Sequence, residues 1–195
     1  MKIITIIILS SFINILAYSQ ETDEEEFIIG NKIYKSETNW FKMGQGFSYH
    51  FRLKQLEYNT LLSYSFKIKK HWFQAGYHVS SDKFFIKSSL QRLNDVYLSY
   101  GRRKETKKLN LSVFAGLSFA YGGTLHHIEW NYGQPVKWYE GFNRIGMFSN
   151  LEFTYKPVYD IGFGITLFGS LNAKYSVTGI MFHLYLSGAF KGKIE

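Results

Sequence analysis

After residue 39, apolar and aromatic residues alternate with Gly, Ser, Asn and a few charged residues, in a pattern repeated about eight times. In one repeat, Tyr58 and Tyr64 occupy one parity, and Asn59 and Ser63 occupy the other. Successive side chains of a β-strand point to opposite faces, so this alternation gives each strand one apolar face and one small polar face. The chain is therefore predicted to be all-β, with sheets that are apolar on one side.

The alternation predicts eight strands, at residues 40–53, 57–69, 72–80, 94–103, 108–121, 144–156, 160–171 and 177–190. A tilted strand needs roughly 9–11 residues to cross a bilayer, and these segments provide that length. The long connections 81–93 and 122–143 fall on the same side of such a sheet, and most turns on the other side are short. We therefore predict an eight-stranded antiparallel up-and-down transmembrane β-barrel over residues 39–191.

A soluble periplasmic barrel of the lipocalin type is the main alternative. In that fold the polar parity would face water and would be rich in Lys, Glu and Asp. Instead it contains small residues such as Gly44, Gly46, Ser48 and Gly116. Small residues suit the crowded interior of a narrow barrel, which favours the membrane protein.

Residues 1–19 have the layout of a cleaved signal peptide, with Lys2, an apolar run, and small residues Ala17 and Ser19 before Gln20. The chain has no Cys, which excludes disulfides and thiolate metal sites. Export and an apolar barrel surface together predict location in the outer membrane of a Gram-negative bacterium.

Charge divides the exported chain into two parts. Residues 20–38 are predicted to be an acidic, mostly mobile lead-in, with partner binding as the alternative, whereas the barrel carries most of the basic residues behind the net charge of +8. A basic exported barrel attracts anionic surfaces, so the expected partners are outer-membrane lipid and lipopolysaccharide. Nucleic acid is not expected, because export separates the protein from it.

The strand pattern and topology resemble those of the small eight-stranded outer-membrane barrels of the OmpA and OmpX class. The resemblance covers about residues 40–190 and carries no specific motif. It implies a monomer inserted by the barrel-assembly machinery, which reads outward aromatics on the last strand. Phe182 and Phe190 fit that role, whereas the tail 191–195 departs from the terminal Phe typical of the class.

Four polar residues are predicted to meet inside the outer rim of the barrel: His50, His78, Ser80 and Asp95. A hydroxyl, an imidazole and a carboxylate are the groups of a Ser-His-acid triad, so a lipid-modifying enzyme of the lipid A deacylase or acyltransferase type is one hypothesis. The other interpretation is a polar network that satisfies buried groups. No catalytic residue is assigned with these alternatives open.

A second constellation lies deeper in the predicted lumen. Lys67 and Glu152 face inward near the inner ends of strands that lie opposite each other in an eight-stranded ring. We predict an ion pair between them that plugs the barrel, because eight strands leave room for side chains but not for a wide pore.

The two long connections supply the candidate contact surface. The 81–93 segment combines basic and aromatic residues suited to lipopolysaccharide phosphates, and the 122–143 segment carries amphipathic rings suited to sugars, proteins or lipid headgroups. The predicted contact residues are Lys83, Phe84, Phe85, Lys87, Arg92, Trp130, Tyr132, Trp138 and Tyr139. His126, His127 and Glu129 do not share one strand face, so no metal is predicted, and no cofactor is expected.

The sequence therefore predicts a non-catalytic structural or surface-binding role through the outer loops. A lipid-modifying enzyme and a soluble lipocalin-like carrier are the alternatives.

Overall fold

The computed structural model describes residues 26–83, 89–131 and 134–194. The predicted signal peptide and acidic residues 21–25 lie outside these ranges. The strands of the described residues are β1 (Glu26–Ile29), β2 (Lys32–Lys35), β3 (Trp40–His50), β4 (Gln55–Ile68), β5 (His71–Ser81), β6 (Arg92–Glu105), β7 (Leu109–Asn131), β8 (Gln134–Val158), β9 (Ile161–Leu171), β10 (Val177–Ser187) and β11 (Phe190–Lys193). No helix in the described part of the chain is long and apolar enough to cross a membrane.

Strands β3 to β10 form a closed barrel in which each strand pairs antiparallel with the next and β10 closes on β3. This confirms the predicted eight-stranded up-and-down barrel. Along each strand, buried residues alternate with exposed ones, and the exposed parity is largely apolar. The predicted inward and outward faces are thus those of the structure.

Close approach of neighbouring strands explains two of the small inward residues. A Cβ atom placed on Gly46 would lie 2.1 Å from the carbonyl oxygen of Ile180, and one on Gly116 would lie 2.1 Å from that of Leu98. Both distances are far inside van der Waals contact, so only glycine fits at these positions.

The barrel has two distinct ends. The terminal end carries β1, β2 and β11 and the turns near residues 69, 106 and 159. The loop end carries the connections 51–54 and 172–176 and the strand ends at Ser81, Arg92, Asn131 and Gln134. The lumen between them holds an apolar cluster towards each end, with buried polar side chains between and around the clusters.

The 122–143 segment differs from the predicted loop, because β7 and β8 continue through it and pair with each other as far as Asn131 and Gln134. The ladder of β6 with β7 ends at Gly123, and the ladder of β9 with β8 ends at Met147. Residues 123–131 and 134–141 therefore form a two-stranded hairpin that projects from the loop end, here called the ribbon.

The lead-in also differs from the prediction. From Glu26 onward it forms the hairpin β1–β2, and β2 pairs with β11 at the other terminus to give a three-stranded sheet. Tyr34, Tyr159 and Ala189 form the core of this terminal sheet, with Phe27 packed against them. Their burial supplies the apolar contact that a short hairpin lacks by itself.

The predicted eighth barrel strand is therefore too long at its end. It stops at Ser187, and Phe190 belongs to the terminal sheet, where its ring lies 6.0 Å from that of Tyr34. The carboxylate of Asp160 turns the chain out of the barrel, because its Oδ1 accepts hydrogen bonds from the backbone N–H groups of Ala189 (3.0 Å) and Phe190 (3.1 Å).

Candidate functional site

The centre of the lumen is occupied by a fully buried network around Glu152. Its carboxylate forms an ion pair with the Lys42 ammonium. It also accepts hydrogen bonds from Gln74 Nε2 at 2.8 Å and from Ser112 Oγ at 3.0 Å. The three partners lie on β3, β5 and β7 and Glu152 lies on β8, so the network ties opposite walls of the barrel together.

The predicted pair of Lys67 with Glu152 is wrong in its cation. The Lys67 ammonium instead pairs with Glu37, just before the barrel. The β3–β4 ladder ends at Trp40 and Ser65, so Lys67 lies beyond it, whereas Lys42 sits inside it opposite Ser63. Four residues from Ser63 to Lys67 span about 13 Å along a strand, which removes Lys67 from the level of the central network.

The terminal end of the lumen is closed by Arg103. Its Cζ lies 4.2 Å from the centroid of the Trp40 ring and 5.0 Å from that of Trp72, which is cation–π geometry. Its Nη2 atom lies 2.7 Å from the Glu105 carboxylate and donates to Tyr185 Oη at 2.7 Å. A large aromatic and ionic layer thus lies between the central network and the terminal end of the barrel.

The residues of the predicted rim cluster are all buried, and Ser80 bonds to a buried carboxylate that was not predicted, that of Glu57. Glu57 Oε1 accepts hydrogen bonds from Tyr175 Oη (2.7 Å) and Gln91 Nε2 (2.8 Å), and Glu57 Oε2 accepts from Ser80 Oγ at 2.5 Å. Burial, followed by the nearby Glu57 carboxylate, raises the pKa of the Tyr175 hydroxyl. Tyr175 therefore remains a donor to Glu57.

The predicted Ser, His and acid do not form one chain of hydrogen bonds. Ser80 bonds to Glu57, whereas His78 pairs with Asp95. His78 Nδ1 lies 3.1 Å from Asp95 Oδ2, and its Nε2 lies 2.8 Å from Asn59 Oδ1. Asn59 donates through Nδ2 to the Glu57 carbonyl at 3.1 Å, which fixes Oδ1 as the atom facing His78. A triad needs the second imidazole nitrogen to face the nucleophile. Here that nitrogen faces an amide.

His50, the fourth rim residue, also does not contact Ser80. Its Nδ1 accepts a hydrogen bond from the Leu53 backbone N–H at 3.0 Å, and its ring packs edge-on against Tyr175 with centroids 4.2 Å apart. The rim cluster thus has the geometry of a packed polar layer beneath the loops.

The 81–93 segment is described only in part. Phe84, Phe85 and Lys87 lie outside the described residues. Lys83 and Arg92 are exposed at the loop end, on either side of that gap. Within the described ranges, neither forms an ion pair with a carboxylate.

The ribbon carries the remaining predicted contact residues. Trp130 is 73% exposed and Trp138 is 50% exposed. Trp138 stacks on His127 at a centroid distance of 5.8 Å and donates through Nε1 to Glu129 at 3.2 Å. Tyr139 is half-buried at the base of the ribbon, and Tyr132 lies outside the described residues.

An ion pair steadies the base of the ribbon. Lys174 Nζ, in the 172–176 connection, lies 3.1 Å from Glu140 Oε2. The hydrogen bond from Lys174, with its charge, lowers the pKa of the Glu140 carboxyl, and His126 Nδ1 lies 3.4 Å from the same carboxylate. Within residues 26–83, 89–131 and 134–194, no three His, Cys, Asp or Glu side chains are grouped as metal ligands.

Lys42 and Glu57 were not predicted as lumen residues, although the sequence contains a signal for both. Lys42 and Glu57 both lie on the inward parity of their strands. A complete inventory of ionisable residues on that parity would have included them. Pairing them correctly requires their heights in the barrel, which parity does not provide.

No protein-family model matches the chain, and no curated protein matches it significantly. Solved structures do match. Neisserial surface protein A is similar to 76% of this chain and 96% of its own length, with a TM-score of 0.58 and 11% identity. The N-terminal β-barrel domain of Pseudomonas aeruginosa OprF is similar to 76% of this chain and 98% of its own length, with a TM-score of 0.50 and 11% identity. The fold is thus that of the small eight-stranded outer-membrane β-barrels, as the sequence resemblance predicted.

Proposed function

We propose that this chain is an outer-membrane barrel protein of a Gram-negative bacterium, and that it works through surfaces outside its lumen. The ribbon is the main contact surface in this proposal, and the role is binding rather than catalysis. The observation that carries it is the ribbon itself, which exposes Trp130 and Trp138 beyond a barrel whose interior is filled.

The apolar outer wall supports the membrane location. Seven of the eight barrel strands carry large exposed apolar residues on the outward parity, and on β5 the outward residues are half-buried. Examples are Phe47, Leu62, Val96, Phe119 and Phe163. In water such a continuous surface would cause aggregation, whereas in a bilayer it is solvated by lipid tails. The apolar segment at residues 1–19 supports export, and the outward Phe182 supports insertion by the barrel-assembly machinery as a monomer.

The filled lumen argues against transport of solutes. The Lys42–Glu152 network and the Arg103 layer occupy successive levels of the interior. An eight-stranded barrel filled by side chains leaves no wide aqueous channel. The function is therefore assigned to the outer surfaces of the protein.

The ribbon has the chemistry of a contact surface. Among the described residues, no strand pairs with either edge of the ribbon beyond Gly123, and the Trp130 ring is largely exposed. Exposed Trp rings give large contact areas at low entropic cost, which suits them to protein or sugar surfaces.

The location is tested by a heat-shift gel on separated cell fractions. The folded barrel is expected in the outer-membrane fraction, with a gel mobility that changes after boiling. Protease added to intact cells is expected to cut the ribbon and to leave the barrel protected. Recovery in the soluble periplasmic fraction without a heat shift would refute the proposal.

The ribbon is tested with the purified, folded barrel on a glycan array and on a panel of immobilised host-surface proteins. We expect the wild type to bind a subset, and Trp130→Ala/Trp138→Ala to lose about tenfold or more in affinity, since aromatic anchors dominate such contacts. Tyr155→Ala/Phe163→Ala, on the barrel wall, is the matched aromatic control. Equal binding by the wild type and the ribbon variant, or no binding by the wild type, would contradict the role.

A further inference from the structure

A groove of about 400 Å³ runs over the outer wall of the barrel near the loop end. One row of outward residues crosses it from Phe182 on β10 through Gln45 and Thr60 to Val79 on β5. The next row towards the loop end runs Phe47, Tyr58, Ser81 and Arg92. These registers place the groove on the apolar exterior and separate it from the lumen.

The shape of the groove comes from unequal side-chain sizes. The Phe47 and Tyr58 rings, with centroids 5.3 Å apart, form a wall on the loop side. The smaller side chains of Thr60 and Val79 lie in the row beside this wall, and Phe182 stands at the β10 end of that row. A shallow apolar trough of this kind fits a hydrocarbon chain lying against the barrel.

The loop side of the groove is polar and basic. Lys83 and Arg92 line it and are exposed. The polar side chains of Gln45 and Thr60 also line the groove, where the surrounding wall is apolar. Hydrogen-bonding groups in a lipid-facing wall need a partner, because hydrocarbon supplies none.

The position of the groove determines what covers it. In the membrane location proposed above, lipid covers this outer wall, and the loop end of the barrel is the side from which headgroups reach the two cations. Arginine and lysine form strong charge-assisted hydrogen bonds with phosphate. An apolar trough that ends in two cations therefore matches an acyl chain attached to a phosphate-bearing headgroup.

We infer that this groove is a specific binding site for one phosphate-bearing lipid of the leaflet at the loop end. Its phosphate lies on Lys83 and Arg92, and one acyl chain crosses Val79 and Thr60 beside the Phe47 and Tyr58 rings towards Phe182. The inference rests on the proposed membrane location and identifies a lipid partner that the ribbon does not require.

Native mass spectrometry of the folded barrel in neutral detergent, titrated with bis-phosphorylated lipid A, tests the site. We expect one lipid A to be retained by the wild type. The variant Lys83→Gln/Arg92→Gln should bind about tenfold more weakly, because it loses the charge-assisted contacts. The variant Val79→Trp, which fills the trough without changing charge, should lose a similar factor.

The matched control is Lys137→Gln/Arg144→Gln, which removes the same charge from the ribbon and its base and should bind as the wild type does. Every variant is first checked for the heat-shifted form, so that misfolding is not counted as lost binding. Dephosphorylated lipid A should bind weakly to all variants, and inorganic phosphate should not compete if the acyl chain contributes.

If the control variant lost as much lipid A affinity as the groove variant, the loss would be an effect of net charge, and the inference would be overturned. Unchanged binding in both groove variants, or no retained lipid in the wild type, would also overturn it. These outcomes are separable from failure of the proposed function, because that failure is seen in cell fractions and in ribbon-dependent binding. A barrel that resides in the outer membrane but retains lipid independently of the groove contradicts only this site.

Discussion

Two conditions decide which buried charges pair in this lumen. The side chains must face inward, and they must lie at the same level along the barrel axis. Lys42 and Lys67 both lie on the inward parity of their strands, yet only Lys42 reaches Glu152. A carboxylate removed from water needs a close counter-charge and further donors, and Glu152 obtains those donors from Gln74 and Ser112. The identity of the cation therefore decides how stable the closed lumen is.

A double-mutant cycle measures this pairing. We expect Glu152→Gln to lower the free energy of unfolding by roughly 3–5 kcal/mol, because it leaves the Lys42 ammonium buried without a counter-charge. Lys42→Met and Glu152→Gln should couple by about 1–3 kcal/mol in urea unfolding of the lipid-reconstituted barrel. Lys67→Met is the control, and its partly exposed pair with Glu37 should cost about 1 kcal/mol or less. Coupling of Lys67, and not of Lys42, to Glu152 would refute the observed network.

The two longest strands, β7 and β8, each have one half inside the barrel wall and one half in the ribbon. In the ribbon they pair with each other. Up to about Gly123, β7 is held by β6 on one side and β8 on the other, and beyond it β8 is the single neighbour. An isolated two-stranded hairpin is marginally stable in water, so the ribbon depends on its base. That base is the ion pair of Glu140 with Lys174 and the buried ring of Phe142.

Shortening the ribbon should therefore leave the barrel intact. Replacing residues 126–138 by Asn-Gly joins Leu125 to Tyr139, which face each other in the ladder, with a turn suited to a two-residue hairpin. We expect the heat-shifted form to persist and the free energy of unfolding to change by about 0.5 kcal/mol or less, since the removed residues are exposed. Loss of the folded form would mean that the ribbon nucleates the barrel.

The described part of the molecule is closed twice: once by the pairing of β10 with β3, and again by the terminal sheet, in which β11 pairs with β2. In this sheet Ile33 faces Gly192, with Tyr34 buried beside them against Tyr159. The second closure brings together segments from opposite ends of the sequence at the terminal end of the barrel.

The absence of native Cys makes the terminal sheet testable by cross-linking. The double variant Ile33→Cys/Gly192→Cys should form a disulfide in the folded barrel, because residues facing each other across strands have Cα separations within disulfide range. A Cβ on Gly192 meets no atom within 4 Å, so the substitution fits. The readout is faster migration on a non-reducing gel. Ile33→Cys/Gly141→Cys, at opposite ends, should not cross-link, and an uncross-linked first pair would refute the sheet.

The sequence alone determined the strand number, the inward and outward faces and the packed interior, because a period of two is a local property that each residue carries. It assigned Glu152 to the lumen for the same reason. The tertiary structure decided which groups meet: Lys42 with Glu152, Ser80 with Glu57, and the pairing of residues 123–131 with 134–141 as a ribbon. Those contacts depend on strand tilt and stagger around a closed ring, which join residues far apart in the chain and leave no trace in local alternation.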